Sequence, residues 1–424
     1  MKNNEIDFYA LINKSSGLFN GYLSVLPNNF FSPKELKAYS LFANHQKIIG
    51  LNSFDTLTAS SIGFNDKDAI TSCFGEAMER YCACIPKETL YYGSFRDFLK
   101  NKKEIVAPNI FNFVRKEHLK REVNEETELF WIEAKDLING KKVLIPEQIG
   151  CFCNHSNERF FLSTSTGMAS GKTYKDALTS GFLECVERHA FSQFWYLQKE
   201  LPIIKYDKNT ILKEFINNEK INILYNNQFI NIVVFDLTDL AKIPTYLTVF
   251  EYKYKEKLEF SIGCASRLTR EEALIKSGLE AYQGIGYGDM LLRRYKKLKV
   301  PLKKLDKKKV LNDFRMHYWY YNAYPSERNG IVIFDELNNN NFFNRIKKQE
   351  REYNNIEEVI KGLNIDKCYV VDLTQNQIKK IGFHVVKVVV PKLILLSGDY
   401  GTPLLNYKEF DNKELFLEKP HFFP

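Results

Sequence analysis

Ser180-Gly181-Phe182-Leu183-Glu184-Cys185-Val186-Glu187-Arg188 is the stretch around which the rest of the chain can be ordered. On a helix, positions i and i+3 lie about 60° apart, so Glu184 and Glu187 share a face, with Ser180 one turn earlier. The pattern stands twice more, as Ser72-Cys-Phe-Gly-Glu76-Ala-Met-Glu79-Arg80 and as Lys276-Ser-Gly-Leu-Glu280-Ala-Tyr-Gln283. A short charged lead precedes each copy: Lys67-Asp68-Ala69, Lys175-Asp176-Ala177 and Glu271-Glu272-Ala273. Glu76, Glu184 and Glu280 are 108 and 96 residues apart, which is too far for a solenoid repeat. Three such helices meet only if the fold brings them together.

Composition and periodicity predict helices over Asp68 to Ala83 and Lys175 to Phe194. Strand-like runs are Phe160 to Ser165, Asn231 to Phe235, Ile243 to Phe250, Gly330 to Phe334 and Val385 to Val390. The irregular alternation favours an α+β fold with mixed sheets over a doubly wound sheet. With 424 residues, 44% hydrophobic and 26% charged, the chain is long enough to bury a large core without staples. Its net charge of +8 is a weak argument for nucleic acid, and none is expected as a partner. The amino terminus has no apolar segment of a signal peptide, and no 18-residue apolar window exists, so no membrane partner is expected. Eight cysteines without a secretion signal point to reduced thiols and a cytoplasmic location.

Paired acids among apolar neighbours are costly unless a cation neutralises them. Arg80 and Arg188 would satisfy one Glu-x-x-Glu-Arg copy as plain salt bridges, but five carboxylates outnumber them. Hard oxygen ligands in that number suit Mg²⁺, which commonly shares its shell with nucleotide phosphates. The small-residue loop Ser163-Thr-Ser-Thr-Gly167-Met-Ala-Ser-Gly171-Lys172-Thr173 precedes the second helix and suits an anion at a helix start. Its end falls one residue short of the P-loop pattern, with lookalikes of a metal-binding strand end at Asp236 and Asp335. That P-loop alternative leaves the three acidic helices unexplained. Cys82, Cys84, Cys151 and Cys153 read as buried small side chains rather than zinc ligands, and His189 as a satisfied helix residue. Arg293 to Lys309 holds ten basic residues and one acid, either a solvated face or a contact for an acidic peptide or partner. Asn338 to Asn341 reads as a surface loop.

In these motifs the chain resembles the YcaO family. The family's first Glu-x-x-Glu-Arg helix, its Thr-Ser-x-Gly-x-Ala-x-Gly loop with a second such helix, and its third helix match Ser72 to Arg80, Thr164 to Arg188 and Lys276 to Gln283. Val370 to Thr374 and Gly382 to Pro391 are similar too, so the resemblance covers about residues 55 to 424. It implies a YcaO-type α+β fold whose helices converge on an ATP and Mg²⁺ site. It also implies a reaction: a Cys, Ser or Thr of a ribosomally made precursor peptide adds to the preceding carbonyl. The oxyanion takes a phosphoryl group from ATP, and phosphate leaves to give a thiazoline or oxazoline. By resemblance Glu76, Glu79, Glu184, Glu187 and Glu280 serve the metal. Ser72, Arg80, Ser165, Thr166, Asp176, Arg188, Lys276 and Gln283 fall at nucleotide-contact positions. Lys276 stands where the family usually has Arg, and Asp176 where it often has Glu.

Family cyclodehydratases commonly end in a Pro-x-Pro-x-Pro tail that reaches the site. Here Lys419-Pro-His-Phe-Phe-Pro424 keeps the outer prolines with Phe422 between, which makes Pro424 a candidate catalytic residue. The resemblance divides the chain into a segment 1–54 for partner docking, a catalytic domain 55–404 and a tail 405–424. No fused second domain is expected. A separate ThiF-like protein is then the expected leader-binding partner, with a flavin dehydrogenase where azolines are oxidised to azoles. The rival readings are a thioamide-forming member of the family, a P-loop-like ATPase and a non-catalytic scaffold subunit.

Overall fold

A computed structural model describes residues 8–12, 18–27, 29–43, 57–84, 90–118, 121–152, 155–156, 158–197, 204–337, 352–416 and 419–423. Three antiparallel sheets carry the fold among these residues. The first runs β1 (Gly21–Leu26), β2 (Lys37–Ala43), β3 (Leu57–Gly63) in that order. The second has six strands: β4 (Leu90–Ser94), β5 (Glu128–Asp136), β6 (Lys142–Pro146), β7 (Met168–Gly171), β12 (Tyr369–Asp372) and β13 (His384–Val389). Their order is β4-β5-β12-β13-β7, with β6 paired to β5 off this path. The third sheet has the order β11-β10-β9-β8, from β8 (Ile204–Asp207), β9 (Asn231–Asp236), β10 (Thr245–Tyr254) and β11 (Lys257–Ser266).

Each acidic motif lies on a helix that covers a different sheet. Helix α1 (Asp66–Cys84) packs on β2 and β3, α2 (Tyr174–Tyr196) on β7 and β13, and α3 (Arg270–Gly284) on β10 and β11. All three starts are fixed by side chains that satisfy otherwise orphaned N–H groups. The Asn65 side chain accepts from Asp68 N–H at 2.9 Å. Thr173 and Asp176 form a reciprocal capping box, and Thr269 accepts from Glu272 N–H. Helix α3 stops at Gly284, and Gly286 adopts φ +79° to begin α4 (Tyr287–Arg294), which packs on α5 (Phe314–Ala323).

One large apolar core joins α1 and α2 to the second sheet, and a second cluster including Tyr225, Tyr246, Phe250 and Tyr282 lies between α3 and the third sheet. Helix α3 approaches its sheet closely because Gly263 in β11 has no side chain. A Cβ there would stand 2.1 Å from the Ser277 carbonyl oxygen and 2.7 Å from Glu280 Cβ.

The expected helices and three of the expected strands are present, and two strands are corrected. Phe160 to Ser165 forms no strand: the amides of Phe160 and Phe161 donate instead to the Gln148 side chain. Gly330 to Phe334 lies at a helical turn, Val332–Leu337, with Ile333, Phe334 and Leu337 buried at helical spacing. Asn338 to Asn341 lies outside the described residues, as does Cys153. No helix among the described residues is long and apolar enough to cross a membrane.

Candidate active site

The three helices turn their acids toward one another. From α1, Glu76 accepts the Ser60 amide at 3.0 Å and faces Arg80 at 3.5 Å, while Glu79 accepts the Ser170 amide of β7 at 2.8 Å. From α2, Glu184 and Glu187 sit 3.8 and 3.7 Å from the same Arg188 Nε, too far for a good hydrogen bond. Among the described residues that Nε is buried without a hydrogen-bond partner. Glu187 also takes the Ser266 amide at 3.4 Å. From α3, Glu280 pairs with Lys276 at 3.2 Å, and the Gln283 amide donates to the Ser60 carbonyl and hydroxyl.

The electrostatics show one shared acidic field. Burial pushes Glu79 up to about 8, and the charges of Glu184 and Glu76 push the same way. Glu187 is likewise raised to about 8, by burial and then by Glu280, against the pull of Arg188. Burial raises Glu184 as well, opposed by Arg188 and Lys387. Each helix thus feels the next: Glu79 of α1 is coupled to Glu184 of α2, and Glu187 of α2 to Glu280 of α3. Carboxyls held this far above their usual range at neutral pH mark a site short of positive charge. Among the described residues no three His, Cys, Asp or Glu side chains form a ready metal cage. Mg²⁺ is usually held by one or two carboxylates together with phosphates and water.

The loop before α2 adds the anion-friendly part. Gly167 takes φ +84°, and a Cβ on it would collide with the Val388 carbonyl, so the turn lies flat on β13. Thr166 is buried and Ser165 half-buried, whereas Ser72 is exposed on α1, one turn before Glu76. Asp176 is exposed, and its carboxylate accepts the Thr173 amide in the capping box. The lookalike of a P-loop is corrected here. Met168 to Gly171 is strand β7, paired with Lys387 to His384, and an extended strand cannot wrap a phosphate.

Two further features border the site, of which the first escaped the sequence reading and the second was expected from the resemblance. Lys387 is buried in β13 and donates through Nζ to the carbonyls of Thr164 (2.5 Å) and Thr166 (2.6 Å). Burial pulls it down to about 8, partly offset by Cys185 and Glu184. It lines a small cavity with Ile149, Leu162, Thr164, Thr166 and Val390. The signal was a lone Lys inside Val385-Val-Lys-Val-Val-Val, since a charge in a buried strand needs partners. The second feature is the tail. Phe423 lays its ring 3.8 Å from the Arg188 guanidinium carbon, and Phe422 is fully buried against Trp195, Phe260 and Phe334. Pro424 itself lies outside the described residues.

The family model described as YcaO cyclodehydratase, ATP- and Mg²⁺-binding, matches residues 60–394, which span all three motifs. The chain belongs to the YcaO family. Binding of ATP and Mg²⁺ is therefore a property of its family, and the acidic helices, the flat Gly167 turn and the field around Glu79 and Glu187 fit those ligands. Solved structures similar to this YcaO chain share its fold. A heterocyclase in complex with substrate and cofactor aligns with a TM-score of 0.65 at 19% identity, covering 91% of this chain and 51% of that one. A chain of the E. coli microcin synthetase McbBCD complex aligns at 0.66 and 16% identity, covering 95% and 96%. The heterocyclase TruD aligns at 0.54 and 19% identity, covering 81% and 47%. The chain thus spans about half the length of the two heterocyclases and nearly all of the microcin synthetase chain. No curated protein matches the sequence.

Proposed function

We propose that this protein is an azoline-forming peptide cyclodehydratase, which converts Cys, Ser or Thr of a ribosomally made precursor peptide to thiazoline or (methyl)oxazoline. The observation that carries this reading is the pair Glu79 and Glu187, from different helices, both held near 8 in one acidic field. Such groups are costly to keep unless a cationic cofactor compensates them.

In this reading Glu76, Glu79, Glu184, Glu187 and Glu280 hold the metal, and Ser72, Arg80, Ser165, Thr166, Asp176, Arg188, Lys276 and Gln283 serve the nucleotide. Bound Mg²⁺-ATP supplies the phosphoryl group that makes a peptide amide oxygen a leaving group. Arg80 and Arg188 offset charge on the departing phosphate, as guanidinium groups do in a dry site. Lys387 keeps the Thr164–Thr166 backbone in place through its two hydrogen bonds. The tail, residues 405–424, stacks Phe423 on Arg188 and so fixes that side chain's direction; Pro424 is its proposed catalytic residue. Residues 55–404 form the catalytic domain, and 1–54 a docking segment. The net change per ring is loss of one water from the peptide, with ATP converted to ADP and phosphate.

A ThiF-like partner protein is proposed to bind the leader and present the core peptide. A flavin dehydrogenase completes the set where azolines become azoles. The microcin synthetase, itself a complex, supports this division of labour. The test is the mass of a Cys/Ser-rich precursor after incubation with this protein, the ThiF-like partner, ATP and Mg²⁺. A loss of about 18 Da per site, absent with Glu187→Gln, is expected. A gain of about 16 Da with a sulfur source instead marks thioamide formation.

A further inference from the structure

The whole net charge of this chain resides in one short stretch. Arg293 to Lys309 carries ten basic residues and one acid, a local +9, so the other residues sum to −1. The stretch is built as a surface. It runs from the end of α4 through short turns at Lys296–Leu298 and Leu302–Lys304 to a helical turn at Lys307–Val310. Leu302, Leu305 and Val310 turn inward against the main core, and the Tyr324 hydroxyl donates to the Val300 carbonyl at 2.7 Å. With its apolar side pinned, the segment presents its cations outward at little further entropic cost.

Those cations are largely unspent. Arg293 pairs with Asp289, Lys307 with Glu327 and Lys309 with Asp306. Lys296, Lys297, Lys299, Lys303, Lys304 and Lys308 are exposed and have no ion-pair partner among the described residues. Between them stand the exposed apolar side chains of Leu298 and Val300, with Met290 nearby on α4. A surface that mixes cations with aliphatic side chains complements an acidic peptide that also carries apolar residues. A bare phosphate backbone would leave those apolar groups unmatched.

The position completes the case. At one end the stretch continues from α4, which follows directly on α3 with Glu280 and Gln283. At the other, Lys307 pairs with Glu327, whose backbone carbonyl accepts from Lys419 Nζ of the tail. The stretch therefore joins the two elements that border the acidic site.

We propose that residues 293–309 dock an acidic, apolar-containing segment of the precursor peptide, outside the residues that are cyclised. This rests on the cyclodehydratase reading for its substrate, but its test needs no turnover. The probe is a fluorescein-labelled peptide of alternating Glu and Leu, beside a Gln/Leu control, titrated with the full chain and read by anisotropy at low and high salt. The acidic peptide is expected to bind, to weaken with salt, and to weaken about tenfold or more in a Lys296/297/299/303/304→Gln variant. The matching Lys→Arg variant is expected to bind normally, and both variants to bind ATP as the parent does. Equal binding of the Glu and Gln peptides, unchanged binding in the Gln variant, or tighter binding of a single-stranded oligonucleotide of equal charge would overturn the proposal. Loss of lysine-dependent binding with intact ring formation defeats only the docking surface. Lysine-dependent binding without ring formation defeats only the catalytic reading.

Discussion

Replacing Lys387 with Met removes the ammonium to which the Thr164 and Thr166 carbonyls are bonded, and leaves both oxygens beside an apolar stem. Unmade bonds at buried groups cost about 1–3 kcal/mol each, so a clear drop in melting temperature is expected. The loop also loses its tether next to the proposed nucleotide position. The KM for ATP in ring formation should therefore rise about tenfold or more, with Lys387→Arg falling between Met and the parent. An unchanged KM for ATP in the Met variant would show that this lysine only stabilises the strand. The residue was visible as an oddity in a run of valines, but no spacing told which carbonyls it would meet. Those lie more than 220 residues earlier, in a segment that alternation alone presents as a strand.

Elements differ in how plainly the chain announces them. The three acidic helices were legible because each combines a polar cap, helix-forming residues and acids at i and i+3. Phe160 to Ser165 was misread because its amide bonds go to one distant side chain, Gln148, and side-chain capture leaves no mark on hydropathy. Gly330 to Phe334 was misread because a short apolar run fits either period until its neighbours are known. The close seating of α3 on β11 was equally hidden, since Gly263 reveals its purpose only once Ser277 and Glu280 lie opposite. A methyl group there would force the helix outward and carry Glu280 and Gln283 with it. Gly263→Ala is expected to keep its circular dichroism yet lose about 100-fold in ring formation, the size of effect that an ångström's misplacement produces. Full activity in that variant would mean the helix position is not what aligns the site.

Across the whole molecule the acidic field ties function to stability. Glu79 and Glu187 hold their protons up to about pH 8 in the metal-free fold, against an ordinary value of 4.5. The native state then binds more protons than the unfolded chain between those limits. Their contribution to stability is complete below about 4.5 and is lost as pH rises through 8. The metal-free melting temperature should fall from pH 5 to pH 8.5. Glu187→Gln should flatten part of that fall, and Mg²⁺ with ATP should restore the loss and release protons to the buffer at pH 7. A metal-free melting curve that does not move over this range would mean the carboxylates do not crowd one another.

The pairing of β7 with β13 reaches beyond the finished enzyme. Residue 171 lies opposite residue 384, so the turn at Gly167 and the carbonyl of Val388 that it presses on are separated by about half of the chain. On the ribosome, a nascent polypeptide that has already delivered α1, α2 and α3 still has no floor beneath its Gly167 turn. Translation must run past Val389 before that floor exists. A fragment that stops before β13 therefore carries all three acidic motifs without the strand on which the Gly167 turn rests.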